Sequence, residues 1–209
     1  MSIFFISRTD NLNSDLKNFL KKEISKSGNS VAYISSEPQE KDKPYYLSTI
    51  IDYKEINNDI QVDYFDLSDG FSDKALERLL EYGVIYLSGG NTYVFMNYAK
   101  KRNLCLILEK HMKKGGLIIG ASAGSVMMTP SIDLASIGDK NIPNLKDTSG
   151  FGFVDFEFCP HFCEEYYSFL SEYIKRKKVK IYTCKDGSGI FYSDTGIKLF
   201  GEVSEFVRK

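Results

Sequence analysis

The fold of this chain is decided by the stretch Leu117-Ile118-Ile119-Gly120-Ala121-Ser122-Ala123-Gly124-Ser125-Val126-Met127-Met128. Its apolar start predicts a short buried strand, and its second half predicts a helix that ends before Pro130. The small residues on both sides of Ser122 predict a sharp turn between the two. A strand, a tight turn and a helix in this order are typical of α/β proteins, in which helices cover both faces of a mostly parallel sheet.

The rest of the chain repeats this alternation of strands and helices. Further strands are predicted over residues 2–7, 30–35, 61–67, 84–87, 153–158, 180–183, 189–193 and 198–207. Helices are predicted over residues 12–24, 72–82, 92–114 with a break near 101–103, and 164–177. The last two strands are joined by Asp194-Thr195-Gly196, which predicts a C-terminal β-hairpin. A chain of 209 residues suits one compact core, so we expect a single three-layer domain over residues 1–209.

Segment 37–58 is the least regular part of the pattern. It contains Pro38, Pro44 and many charged residues, and its hydrophobic periodicity is weak. We expect a long connection with one irregular helix there. The sequence leaves open whether this segment is a lid, a contact between two chains or neither.

Composition and charge exclude several classes of protein. The chain is 43% hydrophobic and 26% charged, as in globular proteins, and its net charge of -1 gives no broad basic field for nucleic acid or an anionic membrane. The apolar runs are far shorter than the roughly 20 residues that cross a bilayer, and no secretory leader is recognisable. We therefore expect a cytoplasmic protein whose four cysteines are reduced thiols.

Gly120-Ala121-Ser122-Ala123-Gly124 matches the G-x-S-x-G pattern of a serine nucleophile, in the strand-to-helix context that this pattern requires. At such a turn the hydroxyl lies at a helix N-terminus, where backbone N–H groups favour developing negative charge. The alternative interpretation is a glycine-rich turn with a capping serine. The pattern indicates Ser122 as a candidate catalytic nucleophile.

A second glycine turn, Leu87-Ser88-Gly89-Gly90-Asn91-Thr92, follows the neighbouring predicted strand. The carboxyl ends of parallel strands form one crevice, so this turn is expected to lie beside Ser122. The N–H groups of Gly90 and Ala123 are then candidates for an oxyanion hole. A phosphate-binding turn is the alternative, but no Lys-Ser/Thr follows the glycines and no G-x-G-x-x-G occurs.

The general base is sought between two histidines, His111 and His161. His111 lies within a predicted helix, whereas His161 follows a predicted strand and comes after Ser122 in the chain, as in α/β-hydrolases. His161 is therefore the candidate base. Cys159 and Cys163 bracket it, but structural zinc requires four ligands, so we expect no metal and no cofactor.

The three motifs Leu87 to Thr92, Gly120 to Gly124 and Pro160-His161-Phe162 together resemble the dipeptidase E (aspartyl dipeptidase) family of serine peptidases, which includes cyanophycinase. The resemblance extends over nearly the whole chain. It implies a fold like that of class I glutamine amidotransferases and hydrolysis of a short peptide through an acyl-enzyme. It assigns Ser122 as nucleophile, His161 as base, and Gly90 with Ala123 as oxyanion donors.

The resemblance also implies an orienting carboxylate in the loop after the serine. We expect it to be Asp139, in Gly138-Asp139-Lys140-Asn141-Ile142-Pro143, while Asp133 and Glu157 remain open. The family's arginine after the histidine is missing from residues 162–174, so a strict preference for N-terminal aspartate is not expected.

Two further residues are predicted to contact the substrate. Arg8 follows the first strand and is a candidate partner for a substrate carboxylate, and Asn91 lies beside the proposed oxyanion hole.

The leading hypothesis is a serine-type exo- or dipeptidase. A catalytically silent amidotransferase-like module that binds a small acidic ligand is one alternative, and an esterase is another. The sequence does not determine whether two chains pair as a homodimer.

Overall fold

Parallel strand pairing organises the computed structural model, which describes residues 1–37, 44–67 and 72–207. Its strands are β1 (Ser2–Ile6), β2 (Ser30–Ile34), β3 (Gln61–Phe65), β4 (Val84–Leu87), β5 (Leu117–Ala121), β6 (Phe156–Cys159), β7 (Lys180–Cys184), β8 (Gly189–Ser193), β9 (Gly196–Phe200) and β10 (Val203–Glu205). Its α-helices are α1 (Ser14–Lys26), α2 (Pro44–Ile56), α3 (Asp73–Arg78), α4 (Thr92–Lys101), α5 (Leu104–Lys113), α6 (Ala123–Met127) and α7 (Tyr167–Lys177). Short 3₁₀ turns cover Leu79–Glu81, Asp133–Ile137 and Glu164–Tyr166.

The main sheet has the order β3-β2-β4-β5-β1-β8-β9 within the described residues. The first five strands of this order pair in parallel, and β8 and β9 continue the sheet as an antiparallel hairpin. The predicted α/β fold with a mostly parallel sheet and a C-terminal hairpin is confirmed. The single strand predicted over residues 198–207 is wrong, because the chain turns at Gly201, whose φ is 73°, and β9 and β10 pair in different sheets. Strand β5 lies between β4 and β1, so the residues after it emerge at the centre of the sheet edge.

A second sheet, with the order β10-β7-β6, lies beside the first. Strand β6 begins at Phe156, three residues later than predicted. The reason is that the N–H groups of Phe151 and Phe153 donate to the carbonyls of Met127 and Met128, which ties this segment to the end of α6 rather than to a strand. His161 therefore follows a strand of the second sheet.

Alternation along β1 divides the core into two faces. Phe4 and Ile6 pack on the side covered by α1 and α2, whereas Ile3 and Phe5 pack on the side of α3 to α6. Phe5 also contacts Phe156 of β6, with ring centroids 5.3 Å apart, and Phe158, with centroids 5.8 Å apart. Aromatic packing on β1 thus joins the two sheets.

Two predicted features of the helices are tested directly. The long helical stretch breaks where expected, because α4 ends at Lys101 and α5 begins after Asn103, whose φ of 51° is left-handed. Segment 37–58 contains one regular helix, α2, of 13 residues. Residues 38–43 of that segment lie outside the described part.

No helix among the described residues has both the length and the apolar character needed to traverse a bilayer.

Helix α6 passes close to β4 because Gly124 has no side chain. A Cβ on Gly124 would lie 2.2 Å from the carbonyl oxygen of Leu87, and the Gly124 N–H donates to the carbonyl of Ser88. The close approach of strand and helix is therefore built on this glycine.

We expect Gly124→Ala to lower the free energy of unfolding by about 1–3 kcal/mol, because the added methyl must displace backbone. Urea denaturation measures this change. Gly138→Ala is the matched control, since a Cβ on Gly138 would have no other atom within 4 Å, and its effect should stay within about 0.5 kcal/mol. Equal stability of the two variants would contradict the close approach.

Candidate active site

Ser122 occupies the turn between β5 and α6. Its φ of 48° and ψ of -110° lie outside the regions that a residue with a Cβ ordinarily adopts. The surrounding sheet holds this conformation, because the Ser122 N–H donates to the carbonyl of Ile6 in β1 over 2.9 Å. A strained backbone of this kind is typical of functional sites.

His161 lies in the turn after β6 and reaches Ser122. Its Nε2 is 2.8 Å from Ser122 Oγ, a hydrogen-bond distance. The backbone of His161 is also left-handed, with φ of 55°, and its N–H donates to Ser7 Oγ over 2.8 Å. The structure thus brings together the two residues predicted as nucleophile and base.

The other ring nitrogen of His161 contacts Asp186. The distance between His161 Nδ1 and Asp186 Oδ1 is 2.6 Å. Burial alone would raise the pKa of the Asp186 carboxyl, but the hydrogen bonds from His161 and Ser7, helped by the charge of Arg8, outweigh it and lower the pKa. Asp186 is therefore held as a carboxylate beside the imidazole.

The expectation that Asp139 orients the histidine is wrong in this structure. The carboxylate of Asp139 accepts the Thr92 N–H at the start of α4 over 2.8 Å, and the Asp139 N–H donates to the Ala135 carbonyl in the preceding 3₁₀ turn. This backbone arrangement places the side chain at the positive end of a helix, where a carboxylate is favoured. Asp139 still lines the same cleft as Ser122 and His161.

The other two candidate acids are engaged elsewhere. Asp133 pairs with Lys177 over 2.8 Å, and buried Glu157 accepts a hydrogen bond from Tyr173 over 2.7 Å. Asp186 is not among the acids predicted from the sequence, although a signal is present there. It lies within Lys185-Asp186-Gly187, three residues after the predicted strand 180–183, just as His161 lies three residues after the predicted strand 153–158.

Gly90 and Ala123, the predicted oxyanion donors, both line the cleft around Ser122. Gly90 has φ of 127°, and a Cβ there would lie 2.0 Å from Ser36 Oγ, so the turn requires glycine. A Cβ on the adjacent Gly89 would lie 3.5 Å from Ser122 Cβ, which places this turn against the nucleophile. The oxyanion role itself stays a prediction.

The two residues predicted to contact the substrate, Asn91 and Arg8, differ in how far their side chains are engaged within the protein. Asn91 Oδ1 accepts the Val94 N–H, and its Nδ2 donates to the Lys140 carbonyl, so both ends of the amide have partners within the protein. This argues against a direct substrate contact. Arg8 is 59% exposed, with Nε 2.7 Å from Asp10 Oδ1 and a guanidinium nitrogen 3.9 Å from Asp186 Oδ2. It lies beside the site, and its role stays a prediction.

The cleft beside Ser122 is small and largely apolar, with a volume of about 90 Å³. Its wall includes Val126, Leu134, Ile137 and Tyr166, and Asp139 adds a carboxylate. Such a space suits one small group held against the nucleophile.

The cysteines near His161 do not form a metal centre in the described part of the chain. No group of three or more histidine, cysteine or acidic side chains among residues 1–37, 44–67 and 72–207 is arranged to hold a metal ion. Burial, together with nearby Cys163, raises the pKa of the Cys159 thiol to about 12, so this thiol is protonated at neutral pH.

Comparison with known proteins gives the family. The model of Peptidase family S51 matches residues 3–200. The chain belongs to this peptidase family. The resemblance to dipeptidase E-like proteins stated from the motifs is thereby confirmed.

Curated relatives of this chain agree with the family assignment. An uncharacterized peptidase of Pasteurella multocida (strain Pm70) is 30% identical over 103 residues, or 48% of this chain and 50% of that protein. Peptidase E of Salmonella arizonae is 29% identical over 87 residues, or 42% of this chain and 37% of that protein. The matches to these curated relatives thus span half of their length or less.

Among solved structures, a crystal structure of a protein designated peptidase E from Listeria monocytogenes EGD-e superposes with a TM-score of 0.78. Its sequence identity is 19%, with 99% of this chain and 98% of that one covered. A peptidase from an acI-B1 Actinobacterium gives a TM-score of 0.72 at 13% identity, with 96% and 87% covered. Both similarities concern the fold alone.

Glu157 generates a prediction about stability. Burial raises its pKa from 4.5 to about 7, against the opposing hydrogen bond from Tyr173. Between these pH values the folded protein retains a proton that the unfolded chain releases, so the free energy of unfolding falls as the pH rises through this window, by about 3 kcal/mol.

We expect Glu157→Gln to remove this pH dependence, because the amide still accepts from Tyr173 but carries no charge. The variant should exceed the wild type in stability by up to about 3 kcal/mol near pH 8, and the difference should shrink toward zero as the pH falls to 4.5. Urea unfolding at several pH values measures both curves. Glu81→Gln is the control, because Glu81 is exposed. If the stability of Glu157→Gln and that of the wild type change with pH in parallel, the raised pKa of Glu157 is refuted.

Proposed function

We propose that this S51 family member is a serine hydrolase that cleaves short peptides with Ser122, His161 and Asp186 as its triad. The observation that carries the proposal is the continuous hydrogen-bonded line from Ser122 Oγ to His161 Nε2 at 2.8 Å and from His161 Nδ1 to Asp186 Oδ1 at 2.6 Å. In serine hydrolases this arrangement activates a hydroxyl that is inert on its own. Membership of a peptidase family supports a peptide as substrate.

The reaction follows from this geometry. His161 removes the proton of Ser122 as Oγ attacks the scissile carbonyl, and the resulting oxyanion is held by the N–H groups of Gly90 and Ala123. His161 then gives the proton to the leaving amine, which departs and leaves an acyl group on Ser122. Water, activated by the same imidazole, releases the acid and restores the hydroxyl. Asp186 fixes the imidazole tautomer and stabilises its charged form throughout.

The cleft favours a short substrate with a free amino terminus. A volume of about 90 Å³ leaves little room for a long acyl segment. Asp139 places a negative charge in this cleft, and one of its oxygens is already fixed by the Thr92 N–H. A carboxylate so held is a suitable partner for the α-ammonium group of the residue whose carbonyl Ser122 attacks.

The silent binding module and the esterase remain alternative functions. The pre-aligned Ser122–His161 hydrogen bond favours catalysis over simple binding, because an unreactive pocket has no need of a base on the serine. The negative charge of Asp139 favours a substrate with a free α-ammonium group over a neutral ester. Turnover of dipeptides against acyl esters separates these functions.

We expect a fluorophosphonate probe to label the wild type at Ser122 and to leave Ser122→Ala unlabelled. Dipeptide hydrolysis should fall roughly a million-fold in Ser122→Ala and roughly 10⁴-fold in Asp186→Asn, in which the amide favours the wrong imidazole tautomer. Mass spectrometry of the labelled protein and amino acid release measure these effects. Equal labelling of wild type and Ser122→Ala would refute the nucleophile.

We expect Asp139→Asn to raise KM for dipeptides with a free amino group about tenfold or more and to leave kcat for N-acetylated dipeptides nearly unchanged, because only the free ammonium loses a charged partner. Asparagine keeps an oxygen for the Thr92 N–H. Asp133→Asn is the matched control, since Asp133 pairs with Lys177. An equal loss on both substrates would mean that Asp139 is structural only.

A further inference from the structure

Ser7 follows β1 directly and contacts two members of the proposed triad. Its side chain is fully buried, with 0% exposure. Its Oγ accepts the His161 N–H over 2.8 Å and donates its own proton to Asp186 Oδ1 over 2.9 Å. One hydroxyl thus links the backbone of the base to the carboxylate that orients it.

The position of Ser7 is itself fixed from both sides. Its N–H donates to the carbonyl of Ser188 over 3.1 Å, which ties it to the turn that carries Asp186. The preceding residue, Ile6, accepts the N–H of Ser122 over 2.9 Å. The carboxyl end of β1 therefore contacts nucleophile, base and acid within two residues.

His161 and Asp186 both need such a support. The φ of His161 is 55°, a conformation that residues with a Cβ adopt rarely, and its N–H would lose its acceptor if the Ser7 hydroxyl were removed. Asp186 lies in the turn between β7 and β8 and is partly exposed, so its carboxylate can rotate unless it is held. Its Oδ1 accepts hydrogen bonds from both the His161 imidazole and the Ser7 hydroxyl.

We propose that Ser7 is a positioning residue, whose hydroxyl locks the imidazole of His161 and the carboxylate of Asp186 into the relative geometry that activates Ser122. This inference rests on the proposed function of the same site. Ser7 acts through the base and the acid and takes no part in bond making. Small displacements of catalytic groups cost up to about 100-fold in rate, which sets the size of the effect.

The kinetic test uses Ser7→Ala, with Thr129→Val as matched control. Thr129 is also fully buried and donates to the Val126 and Ser131 carbonyls, but it contacts no triad member. For Ser7→Ala we expect kcat on dipeptides to fall about 10- to 100-fold with KM changed less than about threefold, because ground-state binding does not involve the hydroxyl. Ser7→Thr, which keeps the hydroxyl, should recover most of the rate.

Assays are run well below the melting temperature of each variant, and Ser7→Cys, which keeps the shape but hydrogen-bonds weakly, replaces Ser7→Ala if that variant does not fold. Wild-type kcat in the folded variant, or an equal loss in Thr129→Val, would overturn the proposal. If the wild type itself cleaves no dipeptide and resists the fluorophosphonate, the proposed function fails instead.

A proton NMR measurement tests the positioning without substrate. The proton in the short hydrogen bond between His161 Nδ1 and Asp186 should give a resolved downfield signal in the wild type and in Thr129→Val. The signal should be lost or broadened in Ser7→Ala, where the carboxylate loses the hydrogen bond from the Ser7 hydroxyl and is held less firmly against the imidazole. An unchanged signal in Ser7→Ala would overturn the proposal whatever the activity shows.

Discussion

The site depends on one hydrogen bond that joins two separate sheets, from Ser122 after β5 of the main sheet to His161 after β6 of the second. The distance of 2.8 Å between Ser122 Oγ and His161 Nε2 is kept only if the two sheets do not shift against each other. The rings of Phe5, Phe156 and Phe158 pack across the boundary between them and supply this rigidity. Packing of the core thus sets the geometry on which catalysis is proposed to depend.

Backbone strain and charge are concentrated at the same place. Ser122 and His161 both have positive φ values, and each is held there by a hydrogen bond to the end of β1. Asp186 keeps its charge there because hydrogen bonds to the carboxylate outweigh the effect of burial. Strain of this kind persists where the surrounding structure fixes the residue from several sides.

Much of the fold could be predicted because its signals are local. Apolar runs of strand length, small residues around Ser122 and the helix break near Asn103 all depend on neighbours in the chain. The predicted start of β6 is too early, because the apolar segment before it bonds to the end of α6, a contact invisible to periodicity. The assignment of that strand to a second sheet depends on the same distant partners.

The sequence by itself determined the strand, turn and helix that present Ser122, and it singled out His161, because only two histidines occur and only one follows a strand. The tertiary structure alone decided which carboxylate meets the imidazole. Four carboxyl groups are chemically alike, those of Asp133, Asp139, Glu157 and Asp186. Each one pairs with the charged or hydrogen-bonding group that the fold brings near it. Asp133 pairs with Lys177, Asp139 binds the N-terminus of α4, and Glu157 accepts from Tyr173. Asp186 is the acid of these four that contacts His161.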